Sequence, residues 1–401
     1  MNVLLLAPKV PFPPTDGGRA ATYQMVRELL RMGMDVQFVA PRGMANDAEA
    51  FSREVHLHLL SVDPRTTLRG VLKNVPHRMP YQVEKFFSPT ALRELEGILR
   101  KKPPDLIHVE NLQMVTYAFA LKGGDGIPIV LRQQNVESEI VRLYRQTVAN
   151  PLLVSYAHHQ YRRMARFEAE AIGKADLVLP VSGVDEEKLR KMNPGMRSSV
   201  VPLGVDTDVL RRASSTVPDT VLLFTNMSWM PNRDSVEFFL EDIVPMLRKE
   251  RPHTRVLLGG KGTDSERRLH ARADVEVCGF IEDLNDLPGL SSVAAVPLRI
   301  GSGMRVKVLE FMALGMAVVS TSLGVEGIDV EDGTHVLVAD TAESFAGSIR
   351  KLLENPEKCR EIGVNARRLI EERYSLDAVG ISLRAAYARL SPDLRGGNDG
   401  A

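Results

Sequence analysis

A chain of 401 residues is too long for one compact core, and it is long enough for two domains that each bury a core without disulfide or metal staples. A hydrophobic share of 44% with 25% charged residues excludes a fibrous or disordered protein, and no apolar run is long enough to span a bilayer. The formal net charge is zero, yet residues 1–200 carry about +6 and residues 201–401 about −6, so the basic first half could face anionic lipid or a phosphorylated acceptor, or be only a solvated surface.

The apolar start Met1 to Ala7 is halted by Lys9 and by the prolines at 11, 13 and 14. It lacks a basic leader and a small-residue cleavage site, so it reads as a first β-strand rather than a signal peptide. Short apolar runs then alternate with longer periodic stretches, which is the pattern of βαβ units. Strands are expected at 2–7, 35–40, 105–109, 127–132 and 176–180. Helices are expected near 18–33, 89–101, 112–121, 138–171 and 183–192. The pattern restarts at Val221-Leu222-Leu223-Phe224 and continues through 255–258, 275–277, 293–296 and 317–320. Two doubly wound parallel sheets follow, one in residues 1–202 and one in 203–374, with the linker near Val201 to Asp208. A last helical stretch from about Ser375 to 391 has no strand after it, and the glycine-rich tail beyond should fray.

Two loops could carry chemistry. After the first strand, Pro11 to Arg19 includes Gly17-Gly18 just before a helix, which permits either an anion-facing turn or a plain tight turn. It is not the G-x-G-x-x-G fingerprint, so no nicotinamide cofactor is indicated. In the second series, Pro297-Leu298-Arg299-Ile300-Gly301-Ser302-Gly303-Met304-Arg305-Val306-Lys307 joins a strand to a helix opening near Met304. Free N–H groups and the positive end of the helix dipole point there, and Arg305 and Lys307 add two cations that are unfavourable unless an anion lies between them. The pattern therefore points to a diphosphate, with Glu310 placed to accept from ribose hydroxyls; the plain alternative is a solvated basic turn.

These residues bring a resemblance into view. The chain resembles family 4 glycosyltransferases of the GT-B fold, most closely the bacterial group reading P-L-R-x-G-x-G-x-R-x-K-x-L-E. The resemblance extends over Gly17-Gly18, Gln134-Asn135-Val136-Glu137, Ala175 to Ser182, Val201 to Asp206, Pro231-Asn232, Cys278-Gly279-Phe280, Gly324 to Gly327 and Arg373-Tyr374-Ser375. It implies two Rossmann-like domains facing a cleft, with nucleotide-sugar donor in the C-terminal domain, acceptor in the N-terminal domain and a last helix crossing back. By the same resemblance Glu310 holds the ribose, Ser302 stands where a glutamate would hold the donor hexose, and Arg305 and Lys307 supply charge to the diphosphate. Phe280 and Ile281 sit where backbone reads the base edge, and Gly17, Gly18, Gly303 and Met304 complete the donor set. Gln134 occupies the place of a histidine on the acceptor side; an amide cannot act as a general base, and the family implies retention of anomeric configuration. Glu137 is either an acceptor-side group or a carboxylate that suits a helix N-terminus.

The expectation is thus a retaining transferase using a UDP- or GDP-sugar, with a saccharide or lipid-linked acceptor of a cell-envelope glycan, no metal, no other cofactor and no nucleic-acid partner. Asp206-Thr207-Asp208 has the look of a metal-binding D-x-D but lies in the linker. His158-His159 point apart on a helix, and His56 and His58 face one side of a strand but lack a third ligand. The basic stretch Leu68 to Lys102, with Phe86, Phe87 and Leu92, could rest on a membrane beside a lipid-linked acceptor or be core-facing apolar residues under a solvated basic face. The two cysteines, Cys278 and Cys359, suit a reducing compartment, so a cytoplasmic protein is expected, at most peripheral at the inner membrane face. A nucleotide-sugar epimerase and a non-catalytic nucleotide-sugar-binding partner are the rival readings.

Overall fold

Parallel strands cannot be joined by tight turns, so each must be followed by a crossover that packs on a sheet face. A computed structural model describes residues 1–14, 16–44, 48–122, 126–147, 150–212, 217–227, 230–263 and 274–390. The chain divides into two units: Met1–Leu203 together with the chain from Val379 onward, and Gly204–Ala378.

The first unit holds strands β1 (Asn2–Leu6), β2 (Asp35–Pro41), β3 (His56–Leu60), β4 (Leu106–Glu110), β5 (Ile129–Gln133) and β6 (Leu177–Pro180). Their order is β3-β2-β1-β4-β5-β6, all parallel. One face of this sheet packs Val3, Leu5 and Val130 against Met25, Val26 and Leu29 of the helix Gly17–Arg31 and against Leu383 and Tyr387 of the helix Leu376–Tyr387. The other packs Leu4, Leu6, Ile107 and Leu131 against Leu95, Tyr117 and Met164. Burial on both faces explains why these strands read as continuous apolar runs.

The second unit repeats the arrangement with β7 (Thr220–Phe224), β8 (Arg255–Gly259), β9 (Glu276–Gly279), β10 (Val293–Val296), β11 (Ala317–Ser320) and β12 (Leu337–Val338). The order is β12-β11-β10-β7-β8-β9, again parallel, which is the first sheet's order counted from the unit's own first strand. In both sheets the order therefore reverses beside the first strand, between β1 and β4 and between β7 and β10, and ligands of open α/β sheets bind above the carboxyl ends at that point.

Local chemistry sets the helix ends. The Asp16 carboxylate caps the first helix by accepting from the Arg19 amide, Ser182 does the same for Gly183–Met192, and Thr341 with Ser344 forms a capping box before Ala342–Glu354. The periodic stretch read as one helix over 138–171 is two, Glu137–Thr147 and Pro151–Lys174. Asn150 accepts from the amides of Leu152 and Leu153, and Pro151 lacks the N–H that a continuous helix would need. Strand β12, with only two residues, is absent from the expected series, and β3 is the strand expected to carry His56 and His58. The glycine-rich tail lies outside the described residues.

Two helical glycines separate space from propensity. A Cβ on Gly363 would stand 2.0 Å from the Gly315 carbonyl oxygen, whereas one on Gly347 would meet nothing within 4 Å. Gly363→Ala should therefore lower stability by about 1–3 kcal/mol, and Gly347→Ala should raise it by about 0.5–1 kcal/mol. Urea denaturation of the two variants checks the opposite signs.

Candidate functional site

Charged residues inside buried parallel strands are costly unless paired, and the first unit has such a group at its reversal point. His108 and Glu110, two residues apart on β4, share a face, and register sets Glu110 directly beside Arg132 of β5. All three are essentially inaccessible to solvent. Arg132 Nη1 donates to Glu110 Oε1 at 3.2 Å and to the Ala21 carbonyl at 3.3 Å. Arg132 Nη2 reaches the Pro202 carbonyl at 3.5 Å. His108 Nε2 lies 3.1 Å from Glu110 Oε1, and its Nδ1 lies 2.5 Å from the Tyr387 hydroxyl. An ionised carboxylate only accepts, so His108 donates through Nε2, and in the neutral tautomer that this requires Nδ1 accepts a hydrogen bond from the Tyr387 hydroxyl. Burial alone would raise the Glu110 pKa, but Arg132, with His108 and Gln134, lowers it to about 2. Burial likewise pushes the Tyr387 phenol far up.

This buried anion orients the residue that the sequence places on the acceptor side. Gln134 Nε2 donates to Glu110 Oε2 at 2.6 Å and to Thr22 Oγ1 at 3.2 Å. The amide nitrogen is thus committed inward, and Oε1 turns toward the Gly17-Gly18 turn, 3.6 Å from where a Cβ on Gly18 would stand. Lys9 Nζ pairs with Asp16 at 2.8 Å in the same turn. Gly17 and Gly18, assigned on sequence to the donor set, accordingly stand beside Gln134 in the first unit.

Glu137 opens the next helix, where the dipole would favour an ionised carboxylate. The structure reverses that expectation. Burial and then the neighbouring Glu168 raise the Glu137 pKa to about 7. The fully buried Glu168 carboxylate takes the helix amides itself, from Glu137 at 2.8 Å and Ser138 at 3.0 Å, together with the Gln133 side chain at 3.0 Å.

In the second unit the loop after β10 leads into the helix Val306–Ala313. Gly301 has φ +151° and Gly303 φ +78°; a Cβ on Gly301 would stand 2.3 Å from Arg305 Nη2, so glycine there lets the guanidinium lie across the loop. Arg305 donates to the carbonyl of Gly303 at 2.8 Å and to that of Ser302. Lys307 Nζ is 2.7 Å from Glu310 Oε2 and 4.6 Å from the centroid of Phe224, the last residue of β7. The inference that only an external anion could offset these two cations is therefore corrected: loop carbonyls and Glu310 already do so. Gly301, Ser302, Gly303 and Met304 are all buried, and the partly exposed groups at this helix start are Arg305, Lys307 and Glu310.

Neighbouring strand ends complete this edge. A Cβ on Gly260, after β8, would stand 1.8 Å from the Thr225 carbonyl oxygen, and Gly260 N–H donates to Gly279 O at 2.7 Å. Half-exposed Phe280 and Ile281 follow β9. Arg299 pairs with Asp234 at 2.8 Å and lies over the Phe238 ring, which fixes the loop to the helix Met230–Phe238. Lys261, exposed between Gly260 and Gly262, is a cation at this edge that the motif reading passed over; its place in the run Gly259-Gly260-Lys261-Gly262 after an apolar strand was the available signal. The linker aspartate Asp206 accepts from the amides of Asp208 and Val209, and among the described residues no cluster of metal-ligating side chains occurs. No helix among them is long and apolar enough to cross a membrane.

Known proteins match these units. Residues 16–204 match the family described as "Glycosyl transferase 4-like domain", and residues 218–355 match "Glycosyl transferases group 1". The chain is 27% identical to the "Uncharacterized 44.6 kDa protein in cps region" of Klebsiella pneumoniae, across 95% of this chain and 98% of that one. Among solved structures, sucrose-phosphate synthase from Thermosynechococcus elongatus superposes with a TM-score of 0.76 at 16% identity, covering 97% and 99% of the two chains. Anabaena HepE in complex with UDP and glucose does so at 0.69 and 15%, covering 97% and 99%.

The Glu110 charge generates a prediction. Its folded pKa lies below the ordinary carboxylate value, so the stability it contributes is complete above about pH 4.5 and is lost as pH falls toward about 2. Glu110→Gln should remove that part of the acid dependence and cost about 3 kcal/mol or more near neutral pH, because Arg132 is left buried without its partner. Urea denaturation as a function of pH checks both; an unchanged acid limb would contradict the pairing.

Proposed function

The chain is a glycosyltransferase of the GT-B fold, and from that premise we propose that it transfers a hexosyl group from a UDP-sugar, with retention of configuration, to a hydroxyl of a cell-envelope saccharide or lipid-linked saccharide. The observation that carries the donor side is the glycine loop Gly301 to Arg305 at the β7–β10 reversal, where a helix begins and Lys307 spans Phe224 and Glu310. UDP rather than GDP is favoured because HepE, of like fold, was solved with UDP and glucose. The cps-region relative supports a surface-polysaccharide acceptor.

The unliganded pairing suits exchange. Lys307 and Glu310 are a partly exposed i,i+3 pair, worth at most about 1 kcal/mol, so an entering nucleotide can separate them. Glu310 then accepts from ribose hydroxyls, and the lysine turns to the diphosphate beside the free amides of the helix start. Arg305 positions the loop through its carbonyl contacts and adds field at the same end. Phe280 and Ile281 lie at the edge available to the base. In a retaining transfer the bond from the anomeric carbon to the diphosphate breaks, the acceptor oxygen bonds on the same face, and the acceptor proton goes to the departing phosphate oxygen. That route asks no base of the protein, in keeping with Gln134, an amide without useful proton affinity. Glu137, carrying a proton up to about pH 7, lies nearby in sequence as a second acceptor-side group.

Lys307→Ala should weaken UDP binding about tenfold to a hundredfold, and Arg305→Ala by a similar factor with added loss of loop order. Turnover should fall further than ground-state binding, because charge on the leaving oxygen grows in the transition state. Calorimetry with Lys351→Ala as control checks this, and binding by Lys307→Ala equal to the control would contradict the assignment. We also expect UDP binding to persist with EDTA present, since cations and amides occupy the role of a metal. Affinity that appears only on adding manganese would overturn the metal-free reading.

A further inference from the structure

A surface helix ordinarily turns its apolar stripe inward and its polar side outward. The helix Leu68–Asn74 does the reverse. Its inward side is polar: Asn74, fully buried, donates to Met79 O and Glu84 Oε2 at 2.9 Å, and accepts from Gln160 at 3.1 Å and Arg163 at 3.0 Å. Gly70 lies so close to Tyr81 that a Cβ would stand 2.7 Å from its hydroxyl. Outward stand Leu68, Leu72 and Val75, with 77%, 63% and 46% of their surface exposed, at spacings that share one helix face.

The charges around that face are of one sign. No acidic residue occurs between Asp63 and Glu84, while Arg65, Arg69, Lys73 and Arg78 do, all exposed. The two flanking carboxylates are engaged, Asp63 with Arg65 and Glu84 with His77. By contrast Phe86, Phe87 and Leu92 of the same basic stretch pack in or against the core, so they offer nothing outward. The exposed Leu152 and Leu153 begin the helix whose Gln160 and Arg163 anchor Asn74.

We propose that this face docks the protein on an anionic lipid surface, with Leu68, Leu72 and Val75 entering the headgroup boundary and Arg69, Lys73 and Arg78 meeting the phosphates. Charge complementarity selects this occupant: a second copy of the chain would set like cations against one another, whereas an anionic bilayer attracts them. The polar anchor at Asn74 holds the helix in this orientation before any contact is made. The inference stands on the exposed face alone and goes beyond the transfer reaction.

Flotation of the full-length protein with vesicles of phosphatidylcholine, and with vesicles that also contain phosphatidylglycerol, tests it. The protein should favour the anionic vesicles, and salt should weaken that preference. The double substitution Leu68→Ser/Leu72→Ser should reduce binding about tenfold or more, and Arg69→Glu/Lys73→Glu should abolish the preference for anionic lipid. Because these side chains are exposed, circular dichroism and UDP affinity should stay as in the parent protein. Equal binding to both vesicles, an unaltered partition of the serine variant, or a stable dimer lost in that variant would each overturn the proposal. Vesicle binding without UDP binding would leave this surface in place and refute the UDP-sugar reading alone.

Discussion

Every hydrogen-bonded strand pair in both sheets is parallel, and that constraint organises the rest. A parallel sheet returns the chain across a face after every strand, so all carboxyl ends gather on one edge and their loops become neighbours whatever their separation in sequence. Reversal of strand order beside β1 and beside β7 then opens a crevice in each unit. The candidate site residues follow these strands: the turn with Asp16 and Gly18 after β1, Gln134 after β5, Phe224 at the end of β7, Gly260 after β8 and the Gly301–Arg305 loop after β10.

The same constraint brings a cost. Both faces of the first sheet are covered, so Glu110, His108 and Arg132 must satisfy one another where water cannot reach. The result is a chain of hydrogen bonds from Tyr387 through His108 and Glu110 to Gln134 and Thr22. An ionised carboxylate at its centre fixes which atom of the Gln134 amide faces outward, an orientation that glutamine alone would leave free. Packing and site geometry are in this respect one interaction, and the last helix takes part in it.

Much of this was legible in the residues. Alternating apolar runs gave both sheets, because strands buried on two faces leave an unbroken hydrophobic signal, and the order of Gly301, Gly303, Arg305, Lys307 and Glu310 singled out the loop proposed for the donor. What stayed hidden was partnership. Nothing in the spacing says that Arg305 turns back onto Ser302 and Gly303, or that Lys307 meets Phe224 from a strand more than eighty residues away. His108 and Glu110 did carry a signal, two ionisable groups at alternate positions of an apolar strand, and Arg132 another. Of the two readings of Glu137, acceptor-side group or helix N-terminal carboxylate, the second overlooks Glu168, which takes those amides from thirty-one residues away. In the basic stretch from Leu68 the sequence pointed to Phe86, Phe87 and Leu92 rather than to Leu72 and Val75, because a periodic pattern does not say which face is in.

The central claim is that a nucleoside diphosphate binds the second unit at the β7–β10 reversal. Hydrogen–deuterium exchange with and without saturating UDP tests it most directly. The account predicts protection of amides in 301–307 and around 224–227 and 279–281, with the helix 342–354 unchanged. Protection confined to the first unit, or none at the Gly301–Lys307 segment despite measurable binding, would contradict it.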